Sequence, residues 1–133
     1  MIVLDTHALI WWVTEPKRIA AKARRAIQAT ETAGEKAIVS SISIWEIAML
    51  VAAGRLELTF EVNAWVELVE SLPFLSFMPV DNRIATRAVH LAQFAHKDPA
   101  DRIIVATALG LGATLITADQ RLRDYGAVTT LWD

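Results

Sequence analysis

The sequence predicts an α/β fold with a mostly parallel sheet of about five strands flanked by helices. Short apolar runs without alternation recur at Ile2-Val3-Leu4, Ala37-Ile38-Val39 and Thr114-Leu115-Ile116-Thr117, the pattern of strands buried on both faces of a parallel sheet. The segments between them carry apolar residues at helical spacing, so strand and helix alternate along the whole chain. With 133 residues and 54% hydrophobic content, the chain reads as a single domain over residues 1–133 with a substantial core.

Taken in order, the first strand ends at Asp5-Thr6 and a helix follows from His7 to Val13. Glu15-Pro16 breaks it. Lys17 to Thr32 is amphipathic, with Ile19, Ala23 and Ile27 on one face, and Gly34 closes it. After the second strand, Ser43 or Ser41 caps a helix over Ile44–Ala53, ended by Gly54. Leu56, Leu58 and Phe60 alternate as an extended arm, and Glu61–Ser71 is helical up to the stop at Pro73. Phe77–Val80 forms an edge strand because Pro79 cannot donate to a ladder. Asp81 caps a helix from Asn82 to Phe94.

Asp98-Pro99 then reads as an N-cap with proline at the first helical position. Asp101 falls in the first turn, at the positive end of the dipole. The run behind it, Ile103-Ile104-Val105-Ala106 to Leu109, is too apolar for a surface helix. Gly110-Leu111-Gly112 turns the chain into the Thr114–Thr117 strand. Ala118-Asp119 leads into a short helix reaching Tyr125, and Val128–Trp132 closes the chain as a last strand.

Composition excludes several functions. There is no cysteine, hence no disulfide framework, thiolate metal site or cysteine nucleophile. A net charge of −2 argues against nucleic-acid binding by charge alone, though not against an enzyme that reads its substrate in a cleft. The N-terminus lacks the basic region of a secretory signal, and the longest uncharged run is too short for a membrane span. The expectation is a soluble, cytoplasmic protein with no membrane association. Trp11 and Trp12 cannot both face inward on one helix, so one of them marks a partner surface.

Open α/β sheets build their sites beyond the carboxyl ends of the strands. Asp5 follows the first strand, Asp119 follows the Thr114–Thr117 strand, Glu46 sits early in the helix after the second strand, and Asp101 opens its own helix. Each alone has a plain reading, as a cap for Asp5 and Asp119 or as a surface residue for Glu46. Together they are unfavourable unless a cation offsets their repulsion. Glu46 also lies between Trp45 and Ile47 in a helix expected to be largely buried. An oxygen-only cluster suits a hard cation, Mg²⁺ or Mn²⁺, rather than zinc, and such a site can activate water against a phosphodiester.

Other acid-bearing α/β families fit less well. Receiver domains need an adjacent acidic pair after the first strand, where Thr6 stands here. Haloacid-dehalogenase-like phosphatases need a second aspartate at position 7, which is His. The Gly110-Leu-Gly112 run follows a helix and precedes a strand, the reverse of a dinucleotide-binding turn.

The motifs Ile-Val-Leu-Asp5-Thr-His, Ser-Ile-Trp-Glu46-Ile, His-Lys-Asp98-Pro-Ala-Asp101-Arg102 and Leu-Ile-Thr-Ala-Asp119 span the chain in one order. In this the chain resembles the PIN-domain nucleases and, within them, the VapC-type toxins of toxin–antitoxin pairs. The resemblance implies a PIN-like three-layer fold and an endoribonuclease with a Mg²⁺ or Mn²⁺ site. Asp5, Glu46, Asp101 and Asp119 would form the catalytic constellation. Asp5 and Asp101 would be the most direct ligands, with Glu46 and Asp119 acting through water or a second ion. Thr6, Ser41, Thr117 and Arg102 would support the ligands or contact phosphate, Arg102 with the competing role of an ion-pair partner for Asp98 or Asp101. Asp98 would be cap and neighbour, and His7, His90 and His96 structural. The resemblance also implies a homodimer held off by a small antitoxin whose tail occupies the acidic groove. A housekeeping RNA-processing nuclease and a silent PIN-like interaction module are the alternatives.

Overall fold

Strand β1 (Ile2–Leu4) lies at the centre of a five-stranded sheet of order β3-β2-β1-β4-β5, with β2 at Ala37–Ser40, β3 at Leu75–Met78, β4 at Thr114–Ile116 and β5 at Thr130–Leu131. The computed structural model describes residues 1–133. Every pairing is parallel. Seven helices connect the strands: α1 (Thr6–Thr14), α2 (Ala21–Thr32), α3 (Ser41–Ala52), α4 (Val62–Ser71), α5 (Asn82–Val89), α6 (Pro99–Leu111) and α7 (Gln120–Asp124). No helix is long and apolar enough to cross a membrane.

The strands divide their side chains between two cores, as a period of two dictates. Ile2 and Leu4 face one side with α1 to α4, around Ile27, Ile47 and the fully buried Trp65. Val3 faces the other with Leu115, against Ile104, Val105 and Leu122. The strand order reverses between β2-β1 and β4-β5, so the carboxyl ends of β1 and β4 border the topological switch point where open sheets form their clefts.

Several boundaries differ from the sequence reading for identifiable reasons. The stretch expected as one helix from Lys17 is a 3₁₀ turn at Pro16–Arg18, then Ile19 and Ala20, then α2. Ile19 is extended and buried, and this anchors the break. Helix α3 starts at Ser41 because Ser40, still extended, takes the cap and accepts from Ile42 N–H at 3.2 Å. Helix α5 ends at Val89 rather than Phe94, and Gln93 beyond it has φ +57°. Strand β3 runs over Leu75–Met78, so Pro79 lies outside it, although the strand is at the sheet edge. The Leu56–Phe60 arm forms no strand; Leu56 and Leu58 instead pack onto the first core. Helix α3 is not largely buried: Ser43 and Ile47 are its buried residues, whereas Trp45 and Met49 are exposed. Trp11 and Trp12 are both half-buried, Trp11 beside Trp132 and Trp12 beside Phe74.

Helix α6 does not turn at Gly110. It continues to Leu111, with Gly112 as a left-handed cap at φ +63°. The two glycines should therefore respond in opposite ways. Gly112→Ala should destabilise by about 1–2 kcal/mol, because Cβ is strained in the left-handed region. A Cβ at Gly110 would meet only the guanidinium of Arg87, the movable end of a side chain, with Nη1 at 2.7 Å and Cζ at 3.6 Å. Gly110→Ala should thus be neutral to stabilising by up to about 1 kcal/mol from helix propensity. Urea denaturation of both variants checks the pair, and equal signs would contradict this account.

Candidate active site

Pairing of β1 with β4 puts Asp5 beside Thr117. The last register pair is Leu4 with Ile116, and Asp5 N–H donates to Ile116 O at 3.1 Å. Asp5 also caps α1, its Oδ1 accepting from Ala8 N–H at 2.8 Å. With 7% exposure the carboxylate has lost most of its water, and burial pushes its pKa up to about 6. Hydrogen bonds from the Thr117 hydroxyl and Ala8 N–H, and the nearby charge of His7, pull the other way, while Asp101 adds repulsion.

Asp98 caps α6 as expected, its Oδ1 accepting from Ala100 N–H at 2.9 Å. Pro99 at the start of the helix fixes the entry, and Asp101 follows in the first turn. Burial raises the Asp101 pKa, and the charges of Asp98 and Glu46 add to this. The opposing contribution is a 2.6 Å contact from His96 Nε2 to Asp101 Oδ2. Asp119 caps α7, and its N–H donates to Thr117 Oγ1 at 3.0 Å. It is held twice by Arg121, Nη2 to Oδ2 at 3.0 Å and Nε to Oδ1 at 3.3 Å. These bonds hold its pKa below the usual carboxylate range despite some burial.

All four expected carboxylates, Asp5, Glu46, Asp101 and Asp119, line one cleft of about 490 Å³ together with Asp98. Glu46 reaches it from the half-buried flank of α3. His7, Arg55 and Arg121 also line it, all exposed. The tightest group of potential metal ligands is His96, Asp98 and Asp101, whose ligand atoms lie within 4.8 Å of one another. The donor set is therefore carboxylate oxygens with one imidazole, which fits a hard divalent cation.

A model of the PIN domain matches residues 2–128. The chain belongs to the PIN-domain family. It is 38% identical over 125 residues to ribonuclease VapC22 of Mycobacterium tuberculosis (strain ATCC 25618 / H37Rv), covering 93% of this chain and 91% of that protein. Among solved structures it is similar to VapBC2 from Rickettsia felis bound to a DNA fragment from their promoter, with TM-score 0.70, 14% identity and full coverage of both chains (100% each). It is also similar to FitAcB from Neisseria gonorrhoeae, with TM-score 0.65, 25% identity, and coverage of 98% of this chain and 96% of that one.

The supporting residues of this PIN domain divide into those at the cleft and those away from it. Thr6 lines the cleft and donates its hydroxyl to Ser43 Oγ at 2.9 Å, tying the start of α1 to α3. Thr117 links Asp5 and Asp119. Ser41 is exposed as the first residue of α3 and does not line the cleft. Arg102 forms no ion pair with Asp98 or Asp101 and turns away from the cleft. Its guanidinium donates to four backbone carbonyls, those of Ala88 (2.8 Å), Val89 (3.1 Å), Phe94 (3.0 Å) and His96 (2.9 Å). It ties the C-terminal end of α5 to the irregular chain leading into α6, at carbonyls without helical partners.

His96, structural on the family resemblance, is pinned onto Asp101. The signal was its position, five residues before Asp101 in the segment that the Asp98-Pro99 cap folds back. Arg121, which sequence reasoning passed over, grips Asp119 from two residues away. His90 stays apart, with Nδ1 bonded to Thr86 O of its own helix at 2.9 Å.

Two consequences can be measured. Asp5 has a folded pKa raised from 3.8 to about 6, so its contribution to stability is fully present below about pH 4 and lost as pH rises through 6. In the presence of chelator, Asp5→Asn should be more stable than the parent by about 2–3 kcal/mol at pH 8, with the gap closing toward pH 4. Denaturation curves across that range check the sign. Separately, Arg102→Met should destabilise by about 2–3 kcal/mol by orphaning carbonyls that now accept from a charged donor. A urea midpoint unchanged from the parent would refute the clamp.

Proposed function

We propose that this PIN domain is a divalent-metal-dependent endoribonuclease that hydrolyses RNA phosphodiester bonds as the toxin of a toxin–antitoxin pair. The convergence of Asp5, Glu46, Asp101 and Asp119 from four separate segments on one cleft is the observation that carries this reading. It is supported by the 38% identity to a protein named as a ribonuclease.

Asp5 and Asp101, both burdened by burial, would hold a Mg²⁺ or Mn²⁺ ion, with Asp98 and His96 beside Asp101 and with Glu46 and Asp119 through water or a second ion. Such an ion supplies Lewis-acid stabilisation of the phosphate and lowers the pKa of water. The protein supplies the geometry. β1 and β4 fix Asp5 and Thr117, α6 presents Asp101, and His96 holds the Asp101 carboxylate in one orientation. Arg55 and Arg121 place positive charge at the mouth of an acidic floor, where an RNA backbone would arrive.

A protein partner beside the cleft is supported by α3, which carries Glu46 toward the site and leaves Trp45 and Met49 exposed on its outer face. The resemblance to VapC-type toxins makes a small antitoxin that partner. Exposed Phe60 and Leu68 around α4 support a homodimer. An RNA target makes the cytoplasm the place of action.

Asp5→Asn and Asp101→Asn should each abolish cleavage of total RNA in Mg²⁺ or Mn²⁺ while leaving circular dichroism unchanged, and chelator should stop the parent protein. A double variant that cuts at the parental rate would overturn the assignment. A parent that cuts nothing and binds no Mn²⁺ would favour a silent interaction module.

A further inference from the structure

Arg121 is the second residue of α7, and both oxygens of Asp119 are occupied by its guanidinium. Its remaining nitrogen, Nη1, stands 3.4 Å from His96 Nδ1, and the charges of Asp101 and Asp98 act on it as well. One monovalent cation thus faces three carboxylates of the cleft. Its side chain is nevertheless 64% exposed, so little beyond the ion pair holds it, and exposed pairs of this kind are weak.

Arg121 also borders a second depression, lined by Phe94, His96 and Tyr125, next to the acidic cleft. Tyr125 is fixed there, its hydroxyl donating to Ala92 O at 2.8 Å and its ring 4.7 Å from that of Phe94. A held aromatic ring beside an exposed guanidinium is a combination that receives a nucleotide, base on ring and phosphate on arginine. Asp119 oxygens already bonded to Arg121 are poorer donors to a divalent ion, so direct ligation of a second ion by Asp119 would compete with the guanidinium fork. The ion brings twice the charge to the same place, and the displaced fork has a phosphate-shaped alternative within the reach of its own stem.

We propose that Arg121 is a two-position cation: it neutralises Asp119 in the metal-free cleft and, once displaced by the metal, binds a backbone phosphate of single-stranded RNA between the cleft and the Phe94–Tyr125 groove. This rests on reading the cleft as a divalent-metal site. Metal and RNA then favour each other's binding through one side chain, and the coupling is reciprocal.

Two titrations test it, on the full chain: Mn²⁺ by calorimetry, and a mixed-sequence single-stranded 2′-O-methyl oligoribonucleotide by fluorescence anisotropy with and without Mn²⁺. Arg121→Met should bind Mn²⁺ about 2–5-fold more tightly than the parent, since no ion pair need be broken. Arg123→Met removes the same charge from the same helix but from a pair with Asp133, and should leave Mn²⁺ affinity nearly unchanged. Mn²⁺ should tighten the parent's hold on the oligonucleotide, and Arg121→Met should lose that gain. If Arg121→Met matches Arg123→Met, or keeps the Mn²⁺-dependent gain, the two-position role is wrong while the metal site stands. A parent that takes up no Mn²⁺ would overturn the metal site and this inference together.

Discussion

Burying Asp5 among other carboxylates is the constraint on which the cleft depends. The backbone leaves it no retreat, because its N–H completes the β1–β4 ladder and its Oδ1 caps α1. Desolvation outweighs the hydrogen bonds from Thr117 and Ala8, and the net result is an acid with a pKa of about 6. A carboxylate needed only as a helix cap does that work at lower cost in water, as Asp81 does at the exposed start of α5. The fold thus carries an electrostatic penalty at the switch point of its sheet, and on the proposed function a divalent cation would be the partner that reverses its sign.

Around that penalty the remaining elements act as mounts and partial counter-charges. Helix α6 is rigid because Ile104, Val105, Ala106 and Ala108 are fully buried along it, so Asp101 is delivered from a fixed base. Its approach is rigid for a different reason. The chain between α5 and α6 has no regular structure, and Arg102 ties two of its carbonyls, those of Phe94 and His96, to the last two of α5, those of Ala88 and Val89. That same clamp holds the His96 backbone, and the His96 ring holds Asp101 at 2.6 Å. A residue facing away from the cleft therefore governs a carboxylate within it. On the opposite wall, the Thr6–Ser43 hydrogen bond keeps α1 and α3 in register, and with them Asp5 and Glu46.

What could be read from the chain alone follows from which signals are local. Apolar runs such as Ile2-Val3-Leu4 are unambiguous in a parallel sheet, so the α/β class, the strands and the strand-end acids were all legible. The Asp98-Pro99 cap was legible too, since both its residues are adjacent in sequence. Helix limits failed where a competing local group decides: Ser40 rather than Ser43 caps α3, and Ile19 in its pocket breaks the long amphipathic run. The exposure of Trp45 and Met49 was hidden because α3 is apolar around most of its circumference, and composition cannot say which side a neighbour covers. The partners of Arg102 and His96 were hidden for a related reason. They are backbone carbonyls and a carboxylate brought near by an irregular turn through Gln93 at φ +57°, a conformation no periodicity announces.

A net charge of −2 is a poor credential for binding RNA, and its placement removes the difficulty. The acids at the cleft form its floor, whereas Arg55, His7 and Arg121 stand at its edge in contact with solvent. In the field of the whole molecule a phosphate meets the edge first and the floor last. On the proposed function, entry to the floor would become more favourable as its carboxylates are neutralised, by Arg121 in part and by a divalent ion more completely. On that function, an acidic floor under a cationic edge would admit an anionic polymer more readily once a metal ion occupies the floor, so the electrostatics of the empty cleft would guard the chemistry of the filled one.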